Sequence, residues 1–120
     1  MFLNRVKTIP DQRRLKRHSL FYQPTVLDST TQELVGHLID LSLGGAMLVS
    51  DHAISSGIIM SIRIILPSAF MDATYFDMDV ETMRVSNDVN TDYFAIGLRF
   101  LEVSEDDQQF IKYLIENYTL

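Results

Sequence analysis

Arg13 and Arg17 stand four residues apart in the cationic run Arg13-Arg14-Leu15-Lys16-Arg17, and Asp40-Leu41-Ser42-Leu43-Gly44-Gly45 follows further along the chain. A guanidinium is always charged, forks onto phosphate oxygens in bidentate fashion and lies flat on aromatic planes. It also matches the O6 and N7 acceptors along the outer edge of guanine. Asp40 can accept from the ring N–H and exocyclic amine on the base's other edge, and Ser42 can donate or accept in the same turn. Gly44 and Gly45 permit positive φ and let a bulky ligand come close to the backbone. Lys16 and Arg14 add charge without the same planar fit. Together these groups complement an anionic phosphate ester that carries guanine bases.

The elements that must bring the two segments together are short strands. Segment 1–12 is polar, basic and broken by Pro10, and reads as a flexible arm. Leu20 to Leu27 is β-rich, but Pro24 confines it to an edge or a bulge. Leu34 to Ile39 and Ala46 to Val49 flank the glycine turn. Ile58, Met60, Ile62, Ile64 and Leu66 share one face of a further strand. Phe76, Met78 and Val80 alternate with Asp77, Asp79 and Glu81, and Phe94, Ile96, Leu98 and Phe100 alternate with Ala95, Gly97 and Arg99. Six strands separated by turn clusters predict a mainly β domain, a small six-stranded antiparallel barrel rather than a parallel sheet. The period then changes. Ser104 caps a helix predicted at about 104–118, Glu105, Asp106 and Asp107 suit its positive end, and Phe110, Ile111, Leu114, Ile115 and Tyr118 form its apolar stripe. The expected organisation is an arm at 1–12 and one barrel domain at 13–120.

Composition narrows the function classes. A chain of 120 residues, 47% hydrophobic and 22% charged, is expected to fold as one soluble domain. It has no cysteine, so disulfide scaffolds and thiolate metal sites are excluded. No apolar run approaches the roughly 20 residues of a membrane span, and Met1 to Arg5 lacks the apolar stretch of a secretory signal. A cytoplasmic protein without membrane insertion is the expectation. The net charge of −6 is uneven: residues 1–18 carry six cations against Asp11 alone, a net of +5, while residues 19–120 carry four cations against fifteen acids, a net of −11. An acidic body argues against a nucleic-acid polymer as partner, because that requires an extended basic face. A basic arm on such a body suits local capture of a small anion.

Metal and catalytic readings fail on spacing. His18, His37 and His52 are scattered without companion donors. Asp88-x-Asn90-x-Asp92 opens like a calcium loop, but Tyr93 stands where the loop needs glycine and Arg99 where it needs its closing glutamate. No nucleophile elbow, P-loop or glycine-rich dinucleotide fingerprint occurs, so no enzyme and no cofactor are expected.

The ordered pair of motifs resembles the PilZ domain, a bacterial receptor family for cyclic di-GMP. That family carries an Arg-x-x-x-Arg arm motif, matched by Arg13 and Arg17, and an Asp/Asn-x-Ser-x-x-Gly turn, matched by Asp40, Ser42 and Gly45. The Ile96-Gly97-Leu98-Arg99-Phe100 strand and the acidic helix start are similar to its closing segment, and the likeness spans about residues 11–118. The resemblance implies a barrel that binds cyclic di-GMP without catalysis and passes the signal to an effector protein, with Arg84 at a strand position that often faces the ligand. Two other readings remain at this point: a nucleotide-independent adaptor for motility or secretion machinery, and a single-stranded RNA binder. The second needs aromatics on an exposed basic face, whereas here the phenylalanines alternate as core positions.

Overall fold

The computed structural model describes residues 16–87 and 92–120. Seven strands and one helix follow in order: β1 His18–Ser19, β2 Thr25–Asp28, β3 Leu34–Leu41, β4 Gly45–Ser50, β5 Ile59–Phe70, β6 Ala73–Asn87, β7 Phe94–Phe100 and α1 Glu105–Tyr118. All pairings are antiparallel, and the order β3-β2-β5-β6-β7-β4 closes through a β3–β4 pairing into a six-stranded barrel. Closure leaves no open edge among these six strands. The inward residues alternate as the sequence predicts, with Ile62, Ile64, Met78, Val80, Ile96 and Leu98 among those forming the buried core.

The strand predicted at Leu20 to Leu27 forms only over its second half, as β2; Leu20 makes a single bridge to Thr119, and β1, just before the predicted range, is an addition to the six. The β1 residues His18 and Ser19 pair with Leu41 and Asp40. The β2 residues pair with the other half of β3, Thr25 opposite His37. Both pieces therefore lie along one edge of β3, separated by the stretch that contains Pro24. Proline has no amide to give the ladder, but its carbonyl accepts from the Leu38 amide at 3.0 Å.

The β5–β6 hairpin runs past the predicted ends at Leu66 and Phe76. Pro67 and Asp72 look like turn residues locally, yet after a register shift Phe70 pairs with Ala73. The extension is held by rings: Phe76 stacks on Phe110 at 4.2 Å, and Phe70 meets Tyr113 at 4.7 Å. The helix supplies those partners on the stripe that buries Phe110, Ile111 and Leu114. Ser104 and Asp107 form the complete capping box, each side chain accepting from the other's amide. At the far end of the helix, the Tyr118 carbonyl accepts from the Phe21 amide at 2.9 Å, joining α1 to the segment after β1.

The hairpin tip places Met71 at φ 50° and Asp72 at φ 65°. Left-handed conformations at both central positions define a type I′ turn, for which Asn-Gly is the favoured pair. Replacing Met71-Asp72 by Asn-Gly should raise stability by roughly 1–2 kcal/mol, the scale of left-handed strain in non-glycine residues, read as a shifted midpoint in urea unfolding.

Candidate functional site

Two β-bulges decide which side chains meet on the outer wall of the barrel. The β3–β4 register shifts between Leu38 and Asp40, so Leu38 and Leu41 both point inward and are fully buried while Asp40 turns outward. The β6–β7 register shifts between Thr82 and Arg84. Thr82 is buried and its neighbours Met83 and Arg84 are both exposed. Without the extra residue, strict alternation would send Arg84 toward the core; a bulge re-aims a side chain in this way. The outcome is a cross-strand row in which Asp40 pairs with Met47, Met47 with Gly97, and Gly97 with Arg84. Three strand spacings of about 4.8 Å put the ends of the row roughly 14 Å apart.

Beside this row lies the turn between β3 and β4. The Ser42 amide donates to the Gly45 carbonyl at 2.8 Å, and the Ser42 hydroxyl oxygen accepts from the amides of Gly44 at 3.3 Å and Gly45 at 3.2 Å. Ser42 thus spends its hydroxyl on holding the turn, a use of serine that competes well with other hydrogen bonds. The Gly44 carbonyl accepts from Phe100 at 3.0 Å, tying the turn to β7. Neither glycine has positive φ; among the described glycines that conformation belongs to Gly57. Gly45 answers a different demand. A Cβ there would stand 2.1 Å from the Leu98 carbonyl oxygen, so the missing side chain is what allows β4 to pass β7.

Arg17 immediately precedes β1, and the pairing of β1 with the end of β3 carries it to the same wall. Arg17 Nη1 is 3.6 Å from Asp40 Oδ2, with the two side chains 61% and 20% exposed. The other carboxylate oxygen, Asp40 Oδ1, is buried without a hydrogen-bond partner among the described residues. Leaving such an acceptor unsatisfied is unfavourable by about 1–3 kcal/mol. By contrast, Arg63 forks onto both oxygens of Asp77 at 2.8 and 3.0 Å, and that hydrogen bonding raises the Arg63 pKa above the usual arginine range. One pair is fully satisfied; the other is loose.

A cavity of about 590 Å³ opens here, bringing together Arg17, Ser42, Gly44, Gly45 and Arg84. That volume lies within the common range for small-molecule sites. Asp40 flanks it through Arg17. Lys16 lines a neighbouring cleft with Phe21 and Thr119 instead. Arg13 and Arg14 lie outside the described residues. Sequence reasoning missed Met47, Met83, Gly97 and Arg99, which line the same cavity. Arg99 pairs with Glu81 at 2.5 Å. An isolated glycine in the clean alternation of β7 was the available signal for Gly97. The other three depend on cross-strand neighbours. No group of histidine and acidic side chains able to hold a metal occurs among the described residues, and no helix among them is long and apolar enough to cross a membrane.

Fold and site define a small closed barrel whose packed interior is solid and whose outer wall carries the cavity. The PilZ domain family matches residues 11–117, and the chain belongs to that family. Similar solved structures include the PilZ domain with c-di-GMP of YcgR from Escherichia coli, with 20% identity, a TM-score of 0.67, and coverage of 90% of this chain and 92% of that one. The Bacillus subtilis inhibitor of motility (MotI/DgrA) matches with 20% identity and a TM-score of 0.63, covering 89% of this chain and 51% of that one. K. pneumonia MrkH in its apo state matches with 18% identity and a TM-score of 0.65, covering 91% and 51%. The chain thus spans about half the length of the last two. No curated protein sequence matches it.

Gly45→Ala should lower stability by about 1–3 kcal/mol, the usual cost of forcing atoms into packed space, because the obstructing atom belongs to the backbone of β7. Urea unfolding checks this. Gly36→Ala should behave alike, since its Cβ would lie 2.3 Å from the Val49 carbonyl oxygen.

Proposed function

We propose that this PilZ domain is a receptor that binds cyclic di-GMP without transforming it and relays its presence to an effector protein in the cytoplasm. The observation that carries the reading is the Asp40 carboxylate, with one oxygen buried and without a partner among the described residues and the other loosely held by Arg17, beside a cavity of about 590 Å³. Guanine offers that carboxylate two parallel N–H donors. Arg17 is then free to fork onto a phosphate or the O6/N7 edge, with Arg13 as its partner from the arm. Arg14 and Lys16 add attraction, and Arg84 faces the ligand from β6. Ser42, Gly44 and Gly45 contribute through the shape of their turn. Family membership and the likeness to the E. coli YcgR domain with c-di-GMP support the same ligand.

The output in this reading is ordering of the N-terminal arm. Segment 1–18 holds six of the chain's ten Lys and Arg residues, so a dianion neutralised by them draws the arm onto the β3–β4 turn and changes the surface offered to a partner. Two to four charge-assisted contacts, less the ordering entropy, correspond to micromolar affinity, about −8 kcal/mol.

Titration calorimetry should show cyclic di-GMP binding and no comparable heat with GTP. Arg17→Ala and Asp40→Ala should each weaken binding about ten- to a hundredfold, the equivalent of the roughly 1.5–3 kcal/mol of a charged hydrogen bond. Unchanged affinity in both variants would remove the assigned roles. Amide hydrogen exchange over residues 5–20 should slow when the nucleotide is added; exchange that stays fast would sink the arm relay while leaving binding intact.

A further inference from the structure

Three glycines sit within strands of the barrel or at their ends, and the fold explains two of them. Gly36 and Gly45 are obligatory, since a Cβ at either would strike the backbone of an adjacent strand. Gly97 is different. A Cβ there would meet the backbone and Cβ of Arg84 at 3.8–3.9 Å, ordinary van der Waals contact, and nothing nearer. Its φ is not in the left-handed region. Glycine inside a strand forfeits side-chain packing and adds chain entropy to the unfolded state, a loss of roughly 0.5–1 kcal/mol against alanine. The barrel gains nothing visible in return.

The surroundings say what the bare position does. Gly97 lines the cavity, at the middle of the row in which Met47 stands on one side and Arg84 on the other. Met83, the extra residue of the β6 bulge, is half exposed and borders the same space. The result is a strip of half-buried backbone without a side chain at Gly97, flanked by two polarizable thioethers and one guanidinium. Thioethers and guanidinium both pack well against aromatic planes, and a strand glycine is where a ligand can approach the backbone closely. A phosphate needs none of these apolar walls; a flat base uses all of them.

We propose that the Met47–Gly97–Arg84 strip is a platform for one planar purine base, and that Gly97 is the residue that keeps it open. This rests on the cyclic di-GMP reading and adds to it a specificity-determining position. The purine lies against the Gly97 backbone between Met47 and Arg84, while Asp40 stands at the end of the row beside Arg17, where it can read the Watson–Crick edge of a base once Arg17 turns to the ligand.

The test combines one substitution series with one probe that leaves the chain unmutated. Gly97→Ala and Gly97→Val are compared with wild type by thermal melting and by titration calorimetry with cyclic di-GMP. Both variants should melt at or above the wild-type temperature, because the space is open and valine favours strands. Gly97→Val should bind at least about tenfold more weakly, equivalent to 1.4 kcal/mol, with Gly97→Ala in between. In parallel, wild-type protein carrying 13C-methyl methionine is titrated with cyclic di-GMP, and the Met47 methyl should move under the ring current of the base. If Gly97→Val fails to fold, the Met47 methyl decides alone. Nucleotide binding that leaves the Met47 methyl in place, or a folded Gly97→Val that titrates like wild type, overturns the platform and spares the receptor. A wild type that binds no cyclic di-GMP overturns both.

Discussion

The barrel depends on how closely β4 can pass between its two neighbours. This six-residue strand is hydrogen-bonded on both edges, to β3 and to β7, and it is where the sheet closes on itself. Six strands leave little room for the curvature that closure needs, and side chains are omitted where backbones nearly touch. Gly36 yields to the Val49 carbonyl and Gly45 to that of Leu98. The Ser42 turn and the Phe100–Gly44 hydrogen bond fasten the same corner. Closure and cavity are therefore one construction: the row Asp40–Met47–Gly97 crosses the seam that makes the barrel a barrel.

The reading from sequence succeeded where structure is local. Alternation of Phe94, Ile96, Leu98 and Phe100 is a property of β7 alone, and the box formed by Ser104 and Asp107 is a property of one helical turn. Both are found as expected. It fell short where a second strand is needed. Nothing within Thr82-Met83-Arg84-Val85 marks Met83 as an extra residue, because a bulge is a count of two against one and the one belongs to β7. Likewise, the local turn chemistry of Pro67 and Asp72 gave no hint that Phe70 and Phe76 would be held by Phe110 across the chain.

The site divides along the same line. Arg17, Asp40, Ser42 and Gly44 were legible from their own chemistry, since charge, hydroxyl and bare backbone are visible residue by residue. Gly45 was legible as a glycine, read there as clearance for a ligand, whereas the reason the structure supplies is the close approach of the Leu98 carbonyl. Met47, Met83, Gly97 and Arg99 acquire meaning only from register. A methionine between Ala46 and Leu48 reads as an ordinary strand residue until the pairing sets Gly97 beside it and Arg84 one strand further on.

Charge balance bears on why a cavity of this kind would need the basic residues at the start of the chain. Two of the three arginines that line the cavity, Arg17, Arg84 and Arg99, are engaged: Arg99 is held by Glu81 at 2.5 Å and Arg17 leans on Asp40. An incoming anion meets those carboxylates as well as the cations. Both arginine side chains are more than half exposed, and pairs of that kind contribute only about 0–1 kcal/mol, so each guanidinium can be released at small cost. Release does not remove the negative charge of Asp40 and Glu81, which remains to repel a phosphate. Residues 1–18, with their net charge of +5 against −11 for the rest of the chain, are the local excess that can outweigh it. At about 0.15 M salt such an excess acts only within a screening length of about 8 Å, so the proposed capture requires those charges close to the cavity. On the proposed reading, recognition and arm ordering are a single step, because the barrel wall alone lacks the positive charge to hold a dianion.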